Sequence, residues 1–181
     1  MRDYKDFIID KLLRNKYTLS TVESVTGGMI AAAITSAPNA SKVFKGGIVA
    51  YTSESKKDLL NVKDSTIRQH GVISAEVARE MAIGAIKKFN SDIAVSVTGI
   101  SGPASLENKP VGLYYFCIVI IDRAYEFEGN IDRNEVQKWL SNSYDSPHDV
   151  DESIIRNIYR KLMTSRIIEE LFKLIVKKNN D

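Results

Sequence analysis

Apolar and polar positions along this chain change period repeatedly, and each change marks an element. Phe7-Ile8 and Leu12-Leu13, set among charges, repeat at helical spacing and predict a short amphipathic first helix. Residues 17–23 read as a first strand. The run Met29-Ile30-Ala31-Ala32-Ala33-Ile34 reads as a helix. Gly46-Gly47-Ile48-Val49-Ala50-Tyr51 predicts a second strand, and Ser53 is placed to cap a short helix over 54–60. Ser74 should cap the clearest helix, residues 75–89, whose apolar face is Val77, Met81, Ala82, Ala85 and Ile86. Residues 92–98 are nearly all apolar, as in a central strand covered on both sides. A loop rich in Gly, Ser and Pro (99–110) leads to the strand 112–121, with 124–129 as its hairpin return.

The last third is helical. A short helix over 134–141 gives way to the polar stretch 141–147. A long helix follows, with Ile154, Ile155, Ile158, Leu162, Ile168, Leu171, Phe172 and Ile175 on one stripe. Alternating strands and helices predict an α/β fold, a three-layer α/β/α sandwich in which 1–181 is a single domain and 132–181 a helical C-terminal extension. Such sheets bind ligands beyond their strand ends, where Ser24, Tyr51 and Gly99 all fall.

Composition narrows the class. The 181 residues are 44% hydrophobic and 27% charged, which is the balance of a globular chain with a sizeable core. The net charge of +2 gives no reason to expect a nucleic-acid or membrane partner. Lone Cys117, inside an apolar run, reads as a buried strand residue; with no internal disulfide possible, a reducing cytoplasm is the expected setting. Residues 1–6 have no apolar signal core, and no apolar run reaches spanning length. His70 and His148 stand in polar surroundings and should face solvent, and no His/Cys/Asp/Glu cluster has zinc spacing, so no metal is expected.

Three segments carry candidate chemistry: Glu23-Ser24-Val25-Thr26-Gly27-Gly28, Tyr51-Thr52-Ser53-Glu54-Ser55-Lys56, and Thr98-Gly99-Ile100-Ser101-Gly102-Pro103. The first is a strand-to-helix corner. Its helix N-terminus suits an anion or oxyanion, and Thr26 alternatively suits a plain N-cap. A serine nucleophile can use a neutral lysine as base. Lys56, in the first turn of its helix, would need its pKa lowered by about 3 from a reference near 10.4. The helix end supplies roughly 0.3–1 kcal/mol, so burial must do most of this; otherwise Lys56 is a solvated charge beside Lys57. Tyr51 is placed to relay a proton or hold the lysine. Thr98, Gly99 and Gly102 suit either an anion nest or a turn, and Lys109 either a substrate phosphate or the surface.

Taken in order, ESVTGG, GGIVAYTSESK, HGVISAEVAREMA, SVTGISGP and KPVG resemble the C-terminal domain of the competence/damage-inducible protein CinA family, from about residue 18 to 129. Stand-alone members are nicotinamide-nucleotide amidohydrolases. The resemblance implies deamidation of nicotinamide mononucleotide to nicotinic acid mononucleotide plus ammonia, in NAD salvage, by a homodimeric cytoplasmic hydrolase without cofactor. It implies Ser24 as nucleophile, Lys56 as base and Tyr51 as third catalytic residue. Thr26, Gly27, Gly28, Thr98, Gly99, Gly102, Lys109 and Arg133 would bind substrate. Against the family pattern, Val25 replaces a cysteine, the loop 104–108 is shortened, and Ile131 is inserted before Asp132-Arg133. A catalytically silent nucleotide-binding or protein-interaction domain linked to competence or DNA damage is the alternative expectation.

Overall fold

The computed structural model describes residues 4–143 and 150–177. Strands β1 (Leu19–Glu23), β2 (Phe44–Val49), β3 (Ile93–Gly99), β4 (Leu113–Ile120) and β5 (Arg123–Asn130) form one sheet in the order β2-β1-β3-β4-β5. β1 pairs parallel with β2 and β3, whereas β4 and β5 run antiparallel to their neighbours. The helices are α1 (Tyr4–Asn15), α2 (Met29–Thr35), α3 (Ser53–Leu60), α4 (Asp64–His70), α5 (Ala75–Phe89), α6 (Arg133–Ser143) and α7 (Glu152–Lys177). Parallel pairing demands crossovers, which α2 and α3 to α5 supply.

Side-chain alternation divides the core in two. From β3 and β4, Ile93, Val95, Val97, Phe116, Ile118 and Ile120 face a layer of α1, α2, α6 and α7 built on Ile8, Leu12, Ile30, Ile34, Ile158 and Leu171. Ala94, Cys117 and Val119 face α3 and α5 through Leu60, Val77, Met81 and Ala85. The three layers and the C-terminal helices thus follow the expected architecture.

Local corrections have simple causes. α4 escaped the periodicity reading because it contains no fully buried residue and so presents no clean apolar face. Thr52, not Ser53, caps α3: its hydroxyl accepts from Ser55 N at 3.1 Å while Ser55 Oγ accepts from Thr52 N at 3.0 Å. Ser74 caps α5 as expected, its side chain accepting from Val77 N. His148 lies outside the described residues. Among those residues no helix is long and apolar enough to cross a membrane.

Pairing continues past the strand ends on one edge of the sheet. Ser24 N donates to Val97 O at 3.0 Å and Ala50 N to Glu23 O at 2.9 Å. The three loops that follow β1, β2 and β3 therefore meet.

Candidate active site

Burial decides the chemistry of Lys56. Its side chain leaves the first turns of α3 and runs inward until the residue is 0% exposed. Nζ donates to Ala50 O at 2.8 Å and lies 3.0 Å from Ser24 Oγ. Among the described residues no carboxylate pairs with it. An ammonium held out of water without a counter-ion is disfavoured, and its pKa falls from 10.5 to about 8. At pH 7 about a tenth of the molecules then carry the neutral amine.

Ser24 stands at the carboxyl end of β1, itself nearly buried. The corner after it is built differently from the expectation. Thr26 is not an N-cap: its hydroxyl donates to Glu23 Oε2 at 2.7 Å. The Glu23 carboxylate turns back under the corner and also accepts from Gly28 N (2.9 Å), Ile30 N (3.0 Å) and Ala31 N (2.8 Å). The positive end of α2 is thus filled by the chain's own anion. Gly27 N is also occupied, donating to Ser24 O at 3.1 Å. The amides of Gly27 and Gly28 are therefore not the oxyanion donors the sequence suggested; those of Val25 and Thr26 form no hydrogen bond among the described residues.

From the opposite side, α7 leans on the corner. Arg160 Nη2 donates to Thr26 O at 2.8 Å. Gly27, at φ +58°, leaves room for it, since a Cβ there would stand 2.5 Å from Arg160 Nη2.

A cleft of about 300 Å³ opens in front of Ser24, with Tyr51, Thr98, Gly99 and Gly102 among its lining residues. Tyr51 is 59% exposed, and its hydroxyl accepts from Arg156 Nη2 at 3.4 Å. It does not hold Lys56; the Ala50 carbonyl does. Thr98 Oγ1 donates to Val72 O at 3.0 Å, tying β3 to the α4–α5 connection. At Gly99 a Cβ would come 2.6 Å from that of Tyr114, so glycine permits the close approach of β4. Lys109 does not line the cleft: Nζ donates to Ile73 O at 2.6 Å and His70 O at 3.3 Å, which makes it a strut rather than a phosphate ligand.

Arg133, the first residue of α6, lines a second pocket of about 550 Å³. Arg156 and the Ser101-Gly102-Pro103 stretch border both pockets, so the two adjoin. Arg156 and Arg160 were not expected as site residues. Both lie off the apolar stripe of α7, where a cation reads as solvated. The Glu23 cap had a visible cue, a carboxylate directly preceding a turn that leaves helix amides open. No group of three or more His, Cys, Asp or Glu side chains among the described residues is arranged to hold a metal ion.

A mixed five-stranded sheet between two helical layers, with a buried lysine against a serine at the strand ends, defines an α/β/α domain built around a Ser–Lys pair. Residues 1–143 match the CinA C-terminal domain, and the chain belongs to that family. It is 47% identical over 138 residues to the protein MG115 homolog of Mycoplasma pneumoniae, covering 75% of this chain and 88% of that one. With a CinA-like protein of Petrotoga mobilis it shares 43% identity over 134 residues, 72% of this chain but 33% of the relative. A crystal structure of a CinA superfamily protein from Klebsiella pneumoniae superposes with a TM-score of 0.80 over 96% of both chains, at 20% identity, a likeness of fold alone.

Proposed function

We propose that this domain is an amidohydrolase acting on the carboxamide of nicotinamide mononucleotide through a Ser24–Lys56 pair. The observation that carries the reading is the buried Lys56 amine 3.0 Å from Ser24 Oγ, lowered to about 8 by desolvation. Neutral Lys56 accepts the Ser24 hydroxyl proton as Oγ attacks the amide carbon, while its N–H still donates to Ala50 O. Negative charge moves to the carbonyl oxygen, for which the unoccupied amide of Val25, a residue lining the cleft, is the candidate donor. Lys56 then passes the proton to the amide nitrogen, the C–N bond breaks, and ammonia leaves an acyl-Ser24 ester. Water, giving its proton to Lys56, attacks the ester; the acid is released and Ser24 takes its proton back.

The paired pockets fit a two-ended substrate. The small cleft takes the aromatic amide, and Arg156 with Arg133 would meet the phosphate in the larger pocket. The resemblance supplies the identity of the nucleotide. Ammonia release from nicotinamide mononucleotide by the metal-free protein tests the reading, with Ser24→Ala alongside. Release by the parent and none by the variant is expected. A folded parent that binds the nucleotide without releasing ammonia would make this a silent binding domain.

A further inference from the structure

One wall of the Ser24 cleft is a small hairpin held from its side. Leu106 and Lys109 pair across it, N to O at 3.3 and 2.9 Å. Its tip residues, Glu107 and Asn108, have φ of +53° and +57°. This is the mirror-image turn that glycine and asparagine favour; asparagine suits it, and glutamate does not.

Glu107 is held there by what its side chain reaches. Oε1 accepts from Val72 N at 2.8 Å and Oε2 from Ile73 N at 3.3 Å. The Lys109 ammonium, 3.4 Å from Oε2, donates to the carbonyls of Ile73 and His70. Gly71 makes the approach possible, because a Cβ there would collide with the Glu107 carboxylate. Val72, Ile73 and Leu106 all line the cleft. Leu106 is 55% exposed at its rim instead of packing into the core. An unfavourable backbone state kept in place beside a candidate active site is where function is to be sought.

We propose that Glu107 is a positioning residue. It clamps the hairpin to the α4–α5 connection, so that Val72, Ile73 and Leu106 form a fixed apolar slot that aligns the planar ring of an aromatic carboxamide with Ser24. The substrate in this inference rests on the amidohydrolase reading; the clamp does not.

Glu107→Gly separates positioning from stability, because glycine accepts the positive φ that glutamate resists. The variant is expected to melt within about 3 °C of the parent. Its kcat for nicotinamide mononucleotide should fall about tenfold, the loss expected from a slightly loosened site, with KM within a few-fold. Glu107→Gln, which keeps one acceptor oxygen, should recover part of the loss. Hydrogen exchange reads the clamp without catalysis: Val72 and Ile73 amides should exchange about tenfold faster in Glu107→Gly, with α5 unchanged. An active parent whose folded Glu107→Gly variant keeps the same kcat overturns the positioning role. A parent that releases no ammonia defeats the amidohydrolase reading instead, and the clamp is then judged on exchange: acceleration upholds it, unchanged protection overturns it.

Discussion

Replacing Lys56 by methionine should cost activity but make the fold insensitive to a pH change that the parent feels. The folded chain releases the Lys56 proton near pH 8, and the unfolded chain keeps it until about 10.5. Between those values the unfolded state binds more protons, so parental stability rises with pH. Below pH 8 the buried ammonium costs the fold about 3 kcal/mol relative to the neutral amine. Integrated from pH 7 to pH 9.5, the parent gains about 2 kcal/mol from this one group. Methionine keeps an unbranched apolar stem in the channel and has nothing to titrate. It also strands the Ala50 carbonyl, whose 2.8 Å bond is lost at a cost of about 1–3 kcal/mol. The two effects nearly offset at pH 7, where parent and variant should agree within about 2 kcal/mol. Urea unfolding of both proteins at the two pH values isolates the difference, because all other titrations are shared. Parent minus variant should rise by about 2 kcal/mol, while ammonia release by the variant falls by roughly 10³-fold or more. A difference that stays flat between the two pH values would refute the reasoning, because Lys56 would then titrate alike folded and unfolded and supply no neutral base near pH 7.

Other substitutions probe the rest of the site. Ser24→Ala should abolish ammonia release yet bind nicotinamide mononucleotide within about threefold of the parent by calorimetry, since only the nucleophile is lost. Glu23→Gln removes the anion beneath α2, where it accepts four hydrogen bonds, and should lower stability by about 2–4 kcal/mol in a denaturant titration. Gly27→Ala meets both a positive φ and the Arg160 guanidinium; a loss of about 1–3 kcal/mol is expected by thermal melting. Arg156→Ala and Arg133→Ala should each raise KM by roughly tenfold or more with kcat within a few-fold, and an unchanged KM would remove the arginine pocket from the account.

The sequence was most legible where burial forces a period. β3 and β4 are apolar on both faces, α5 carries a clean stripe, and all three emerged within a residue or two of their expected limits. The meeting of the Ser24, Tyr51 and Gly99 loops followed from placing them at strand ends, which parallel pairing of β1, β2 and β3 brings to one edge. Lys56 was legible only as a choice between a buried base and a solvated charge. A short segment cannot say whether α3 turns that side chain inward, and tertiary packing decides it. The corner after Ser24 misled for a related reason: Thr26 and the glycines have the composition of an anion site, but Glu23, one residue upstream, occupies that position first. Arg156 and Arg160 reach the site from α7, more than a hundred residues away in the chain. Lys109 went the other way, its ammonium already occupied by backbone carbonyls.

The central claim is that a neutral, buried Lys56 activates Ser24. It is tested most directly by the rate at which a fluorophosphonate probe phosphonylates Ser24, with loss of fluoride, between pH 6 and 9, in the parent and in Lys56→Met. The account predicts a parental rate that climbs through a midpoint near 8 and a variant that is essentially unlabelled. Labelling of Ser24 at the same rate in both proteins, or at a rate independent of pH, would contradict it.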